Sequence, residues 1–212
     1  MRDLMATLSR EVMASGPSSC LSYFAGALRD GTFSSKHRTW RLAQKDKAWL
    51  LVVRVVLEQV GAKSWIYREG KDRSVWVLET CCRPSDFPPL LQSKAENAAF
   101  VRGYFDAEGG IPQAASARFY VQLAQKNRSD LEELRQRVQG LGLACGRLHL
   151  PSVAADPDYW RFYVSAASHR RFYETVGSWH PRKRALLDGR FSTASSLDRK
   201  SVPSVTRHLE RG

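Results

Sequence analysis

Acidic side chains are scarce in this 212-residue sequence: 21 Asp and Glu stand against 33 Lys and Arg, for a formal net charge of +12. A surplus of that sign favours a polyanion such as nucleic acid. Cysteine is sparse as well. Cys20, Cys81, Cys82 and Cys145 show neither the paired spacing of zinc ligands nor a secreted disulfide framework, which points to a reducing, intracellular setting. No apolar run approaches the ~20 residues that would span a bilayer, and the first residues hold no apolar signal core. The expectation is a soluble chain without membrane contact, in the cytoplasm or nucleoid, or in an organelle if the host is eukaryotic. Hydrophobic residues at 43% and charged residues at 25% are ordinary globular values, enough for a real core.

What is present is a doubled motif. Tyr23-Phe-Ala-Gly-Ala-Leu-Arg-Asp30-Gly31 and Val101-Arg-Gly-Tyr-Phe-Asp-Ala-Glu108-Gly109 each end an apolar, small-residue helix pattern with a carboxylate followed at once by glycine. A carboxylate at a helix C-terminus sits at the negative end of the macrodipole, where a cation is favoured and an anion is not. Something positive is therefore expected beside Asp30 and Glu108. A shared divalent metal is the economical candidate, and an exposed acid before a C-cap glycine is the plainer alternative.

The duplication extends further. Leu42-Ala-Gln-Lys45 recurs as Leu123-Ala-Gln-Lys126, and a register of 81 residues then holds through Asp46/Asn127, Leu57/Val138, Val60/Leu141 and Gly61/Gly142. Such agreement marks an internal repeat of one supersecondary unit. From Asp30 to Glu108 the offset is 78, so the second copy has three extra residues before its Gln-Lys, as a hairpin turn tolerates.

Local signals divide each copy into elements. Gly16-Pro17-Ser18-Ser19 is a breaker with a candidate serine N-cap, opening a helix to about Arg29, while Ser93-Lys-Ala-Glu96 has capping-box form. Period-two alternation around Thr39–Leu42 and Arg118–Leu123 predicts half-buried strands, paired with short strands near Thr32–Ser35 and Ile111–Ala115. Each Gln-Lys is followed by a helix, from Asp46 to Gly61 and from a second capping box at Ser129-Asp-Leu-Glu132. Second hairpins use Ser64–Tyr67 with Val75–Leu78, and Arg147–Leu150 with Tyr159–Val164. Short helices are expected near Phe87–Leu91 and at Ser168–Val176, with Pro84, Pro88 and Pro89 at the joint between copies. The fold class is α+β: two tandem αββαββα repeats, residues 1–92 and 93–188, each with a four-stranded antiparallel sheet open on one face. Residues 189–212 read as a basic, disordered tail.

These residues resemble the LAGLIDADG family of homing endonucleases in its single-chain, two-motif form, over roughly residues 18–188. Val101-Arg-Gly-Tyr-Phe-Asp-Ala-Glu108-Gly109-Gly110 matches the family motif nearly throughout. The first motif departs more: aligned without a gap, Ala25 takes the place of Gly103 and Leu28 that of Asp106. A shift by one would align Gly26 with Gly103 but pull Asp30 off Glu108, and it is rejected here.

The resemblance implies two motif helices packed at a pseudo-twofold, with Asp30 and Glu108 as metal ligands aided by the carbonyls of Arg29 and Ala107. It also implies a monomer that hydrolyses double-stranded DNA with Mg2+, Mn2+ able to substitute and Ca2+ binding without cleavage. Gln44 and Gln125 match the family's water-positioning glutamine; Lys45 and Lys126 follow directly, as candidates for neutralising the scissile phosphate or for a solvated strand end. Where the family supplies a basic residue after each copy's last strand, this chain has Cys82-Arg83-Pro84 and Ser168-His169-Arg170. His180-Pro-Arg-Lys183 resembles a C-terminal family signature, with Lys183 an auxiliary phosphate contact.

The alternation places His37, Thr39, Arg41 and Arg68 outward in the first copy, and Arg118, Tyr120, Gln122, Arg147, His149, Arg161 and Tyr163 in the second. These side chains suit base edges or phosphates in the major groove. Strands of about five residues reach only ~17 Å at ~3.3 Å per residue, so base readout is expected to be limited. The alternative function keeps the fold without cleavage, as a DNA-binding regulator or an RNA maturase acting on intron RNA.

Overall fold

The computed structural model describes residues 2–70, 74–83, 85, 91–114, 116–151 and 158–192. The first repeat runs α1 (Arg2–Ser15), α2 (Pro17–Ala27) ending in a 3-10 turn over Leu28–Asp30, β1 (Thr32–Ser34), β2 (Thr39–Gln44), α3 (Lys47–Gln59), β3 (Ser64–Glu69) and β4 (Val75–Thr80). The second runs α4 (Lys94–Glu108), β5 (Val121–Gln125), α5 (Arg128–Gly140), β6 (Trp160–Val164), a 3-10 turn into α6 (His169–Thr175), and α7 (Pro181–Phe191). No helix among the described residues is long and apolar enough to cross a membrane.

Capping explains most boundaries, with two departures from expectation. The Ser93/Glu96 box forms at the start of α4, with Ser93 Oγ accepting from the Glu96 amide at 3.1 Å. At α2, no serine caps: Gly16, at φ 79°, precedes Pro17, whose missing N–H costs nothing in a first turn. At α5 the expected Ser129/Glu132 box is replaced by Asn127, whose side chain accepts from the amides of Ser129 and Asp130. Asp46 does the same for the Ala48 amide at α3, so the two caps occupy equivalent repeat positions. The β-branched run of α3 is helical because one stripe, Trp49, Leu50, Val52, Val53, Val56 and Leu57, is buried.

The first sheet is antiparallel in the order β1-β2-β4-β3. Leu42, Leu78 and Ile66 stand opposite one another and face the core under α1, α2 and α3. The second sheet has two strands among the described residues, β5 and β6, plus isolated bridges Gly110↔Gln122, Cys145↔Val164 and His149↔Arg161. The strands expected at 111–115 and 147–150 contract to these bridges. Pro112 lacks the donor a ladder needs, and Pro151 ends the other segment after one paired residue.

Two further differences concern the ends. Residues 2–15, which carried no helix signal strong enough to be assigned, form α1, with Leu8 and Val12 fully buried and Glu11 Oε2 paired to Arg184 Nη1 at 2.9 Å. Gly189, Arg190 and Phe191, expected in a disordered tail, belong to α7, where Phe191 stacks on Tyr173. Residues 193–212 and most of the short helix expected near 87–91 lie outside the described residues; Leu91 itself is non-helical, with φ 67°.

The motif helices α2 and α4 pack with backbones in contact. A Cβ on Gly26 would lie 2.1 Å from the Phe100 carbonyl oxygen, and one on Gly103 would lie 1.9 Å from that of Tyr23. The contact is reciprocal, so Gly26 and Gly103 are structural equivalents, which overturns the gapless alignment of Ala25 with Gly103. Asp30 and Glu108 nevertheless both end their helices, because the first motif finishes in a 3-10 turn. Its rise of ~2.0 Å per residue, against ~1.5 Å in an α-helix, carries four residues after Gly26 about as far as five after Gly103.

Candidate metal centre and nucleic-acid face

Asp30 and Glu108 meet at the paired helix ends. Their carboxyl groups hydrogen-bond to each other, and Gln44 Nε2 donates to Asp30 Oδ2 at 3.1 Å. Burial raises the pKa of both acids. Glu108 goes to about 7, pushed by burial first and then by the neighbouring Asp30 charge. Asp30 is held back by its bonds to Glu108 and Gln44 and by Lys183. Two carboxyls this close share a proton in place of a second cation.

The positive group expected at this dipole end is present as Lys183. It is only 6% exposed, and its ammonium donates to the carbonyls of Phe105 at 2.5 Å, Asp106 at 2.9 Å and Gly109 at 2.7 Å, closing the C-terminus of α4. All three N–H groups are used. Lys183 is therefore not an outward phosphate contact, contrary to expectation: α7 points it inward beneath the acids. Burial lowers its own pKa to about 8.

Asp106, unassigned from sequence, anchors the same helix end. Fully packed inside, it accepts from Tyr23 Oη at 2.7 Å, Ser178 Oγ at 2.5 Å and the amides of Trp179 and His180 at 2.8 and 3.0 Å. One carboxylate thus ties α4 to α2 and to the segment before α7. Leu28, its counterpart in the gapless alignment, is apolar and half of the signal was missing there. Gly31 and Gly109 are extended, at φ −85° and −76°, so neither is a left-handed cap. Gly109 is required by space: a Cβ would lie 2.1 Å from the Phe105 ring.

The remaining candidates divide. Gln125 is not bonded to Glu108; its Oε1 accepts from the Lys126 amide at 2.8 Å. Lys45 and Lys126 are exposed without ion pairs among the described residues. Arg29 turns its side chain to Asp130 at 3.1 Å, and Ala107 packs on the first core, leaving their carbonyls for any ligand role. Arg83 stacks over Phe33, and His169 Nε2 bonds the Val164 carbonyl at 3.0 Å, so both family-lysine stand-ins are engaged elsewhere. No group of three or more His, Cys, Asp or Glu forms a metal cluster among the described residues. Two carboxylates with adjacent carbonyls are hard oxygen donors, the set that suits Mg2+, Mn2+ or Ca2+ with water completing the shell.

On the second sheet, Gln122, Tyr163, Arg161 and His149 share the face away from the core, as expected, with His149 stacked on Tyr163 at 5.6 Å and Tyr120 edge-on to it at 5.9 Å. Arg118 is exposed just before β5, and Arg147 is exposed beside His149. The first sheet differs. His37 is exposed in the β1-β2 turn, but Thr39 is buried and donates to Glu79, and Arg41 pairs with Glu69 at 2.6 Å and accepts no free role. Arg68 lies on the opposite side, in register with Trp76. Trp65, Tyr67, Glu69 and Glu79 complete that outward face; their alternation was legible, but only cationic and uncharged positions were read from it.

Paired helices with reciprocal glycine contacts, each delivering one acid to a common point, define the two-motif, pseudo-twofold α+β class. Residues 95–177 match the family described as a LAGLIDADG-like domain. Similar solved structures share its fold at low identity. The homing endonuclease I-DmoI in complex with DNA and Ca superposes with a TM-score of 0.61 at 17% identity, covering 82% of this chain and 99% of that one. Full-length DUF199/WhiA from Thermatoga maritima gives 0.64 at 16%, covering 94% of this chain and 68% of that one. The N-terminal LAGLIDADG domain of DUF199/WhiA gives 0.62 at 13%, covering 82% and 89%. No curated protein matches by sequence.

Proposed function

We propose that the chain is an endonuclease of double-stranded DNA that holds Mg2+ between its two repeats. The observation that carries this reading is the convergence of Asp30 and Glu108 into a hydrogen-bonded pair at the ends of the motif helices. A pure binding module gains nothing from two neighbouring carboxylates, one exposed and one half-buried, aimed at a polyanion, since like charges this close disfavour each other. Asp30 and Glu108, with the carbonyls of Arg29 and Ala107, would hold the metal, which supplies a lowered water pKa and charge stabilisation at phosphate. Gln44, fixed on Asp30, orients a water at the first acid. Lys45 and Lys126, exposed at the ends of β2 and β5, are placed to neutralise phosphate charge. I-DmoI, of the same fold, has been seen with DNA and Mn.

A second reading keeps DNA binding and drops cleavage. Its support is specific: Arg83 and His169 are tied up elsewhere, and Gln125 is turned from Glu108. Both readings are tested by incubating the protein and magnesium with a randomised duplex library and sequencing broken ends. Cleavage by the wild type, lost in Asp30→Asn and Glu108→Gln with binding retained, supports the nuclease. Cutting that survives the double variant overturns it, and binding without any cutting by the wild type leaves the second reading.

A further inference from the structure

The two sheets present opposite chemistry on their outward faces. On the first, a closed ladder runs Thr39 to Glu79 to Tyr67 to Arg41 to Glu69: Tyr67 Oη donates to Glu79 Oε2 at 2.8 Å, and Arg41 Nη2 donates to Tyr67 at 3.2 Å and to Glu69 at 2.6 Å. Register confirms a common face, since Arg41, Glu79 and Trp65 stand in one row. Glu79 is 7% exposed, and its donors hold its pKa below the ordinary value despite burial, so it is charged. Among the described residues the face therefore holds one cation and two anions, every one already partnered. On the second, Arg161 shares the outward side with Gln122, His149 and Tyr163, Arg147 is exposed two residues before His149, and among the described residues no carboxylate pairs with either arginine.

We propose that the two halves divide the labour of DNA binding: the second repeat supplies the phosphate grip, and the first repeat's sheet adds no electrostatic attraction. Carboxylates aligned on a groove-facing sheet repel phosphate. Asymmetry of this kind is invisible in the net charge of +12. The inference rests on the DNA reading above and adds where the affinity resides.

The test measures binding of a ~30-base-pair random duplex by fluorescence anisotropy across a salt series, in calcium, for the wild type and three folded variants. Arg147→Ala and Arg161→Ala are each expected to weaken binding several-fold and to flatten the log–log salt slope by about 1. Glu69→Gln, at a half-exposed pair, frees Arg41 and is expected to tighten binding at least about 3-fold with a steeper slope. Thermal melts of all three confirm that the fold is kept. Arginine variants that bind like wild type, or a Glu69→Gln protein that binds equally or more weakly, overturn the division of labour alone. A wild type that does not bind duplex overturns the DNA reading itself.

Discussion

Alanine at Gly103 tests the central packing. The added Cβ would sit 1.9 Å from the Tyr23 carbonyl oxygen, 2.8 Å from its carbon and 3.0 Å from the Ala27 nitrogen. All three are backbone atoms, so no side chain can swing away. Reaching an ordinary contact of about 3.4 Å requires α2 and α4 to part by ~1.5 Å along their tightest line, against native packing density. Overpacking of this kind costs ~1–3 kcal/mol, and the lost interhelical dispersion adds to it. For a chain of this size ~3 kcal/mol corresponds to a drop of ~6–12 °C in Tm. Because Asp30 and Glu108 ride on these helices, a displacement near 1 Å is also expected to cost ~100-fold in any chemistry they support. Differential scanning fluorimetry and terbium luminescence titration read the two effects. A Gly103→Ala protein with unchanged Tm and unchanged lanthanide affinity would refute the close-packed geometry.

Other outcomes follow from the charges at the helix ends. Glu108 titrates at about 7, against an ordinary 4.5, so its folded form binds the proton more tightly. Its stabilising contribution is complete below pH 4.5 and is lost as pH rises through about 7. In chelator, the Tm difference between wild type and Glu108→Gln should therefore shift against the wild type from pH 5 to pH 8. Taking the difference cancels His180, whose pKa burial lowers to about 4 and whose slope has the opposite sign; a difference that does not move with pH would contradict the shared proton. Lys183→Met strands the three carbonyls its ammonium now satisfies. At ~1–3 kcal/mol for each unmade bond, the loss is on the order of 3–9 kcal/mol, visible as a Tm lower by roughly 6 °C or more; a shift under 2 °C would show the lysine to be dispensable. DNA affinity should fall steeply between low and moderate salt, as filter binding would show; a flat dependence would argue against phosphate contact.

The acids, the repeat and the α4 capping box were legible because each rests on local chemistry: a carboxylate at a helix end, a recurring Leu-Ala-Gln-Lys, and Ser93 three residues before Glu96. Gly26 was misaligned because sequence counts residues while packing counts rise, and a 3-10 turn breaks the proportion. Lys183 read as a surface cation since nothing local says that α7 folds back beneath α4; its burial depends on contacts 74–78 residues away. Glu69 and Glu79 had the right alternation, but their pairing with Arg41 and Thr39 is set by sheet order, which period-two patterning leaves open. The thin second sheet reflects Pro112 and Pro151, whose effect on pairing a strand pattern alone underweights.

The most direct measurement is anomalous scattering from crystals of the protein with duplex DNA and manganese. The account expects a manganese peak lying about 2.0–2.6 Å from a carboxylate oxygen of Asp30 or Glu108, between the two helix ends. Clear density for both side chains and the DNA, with no anomalous peak between them, would contradict it.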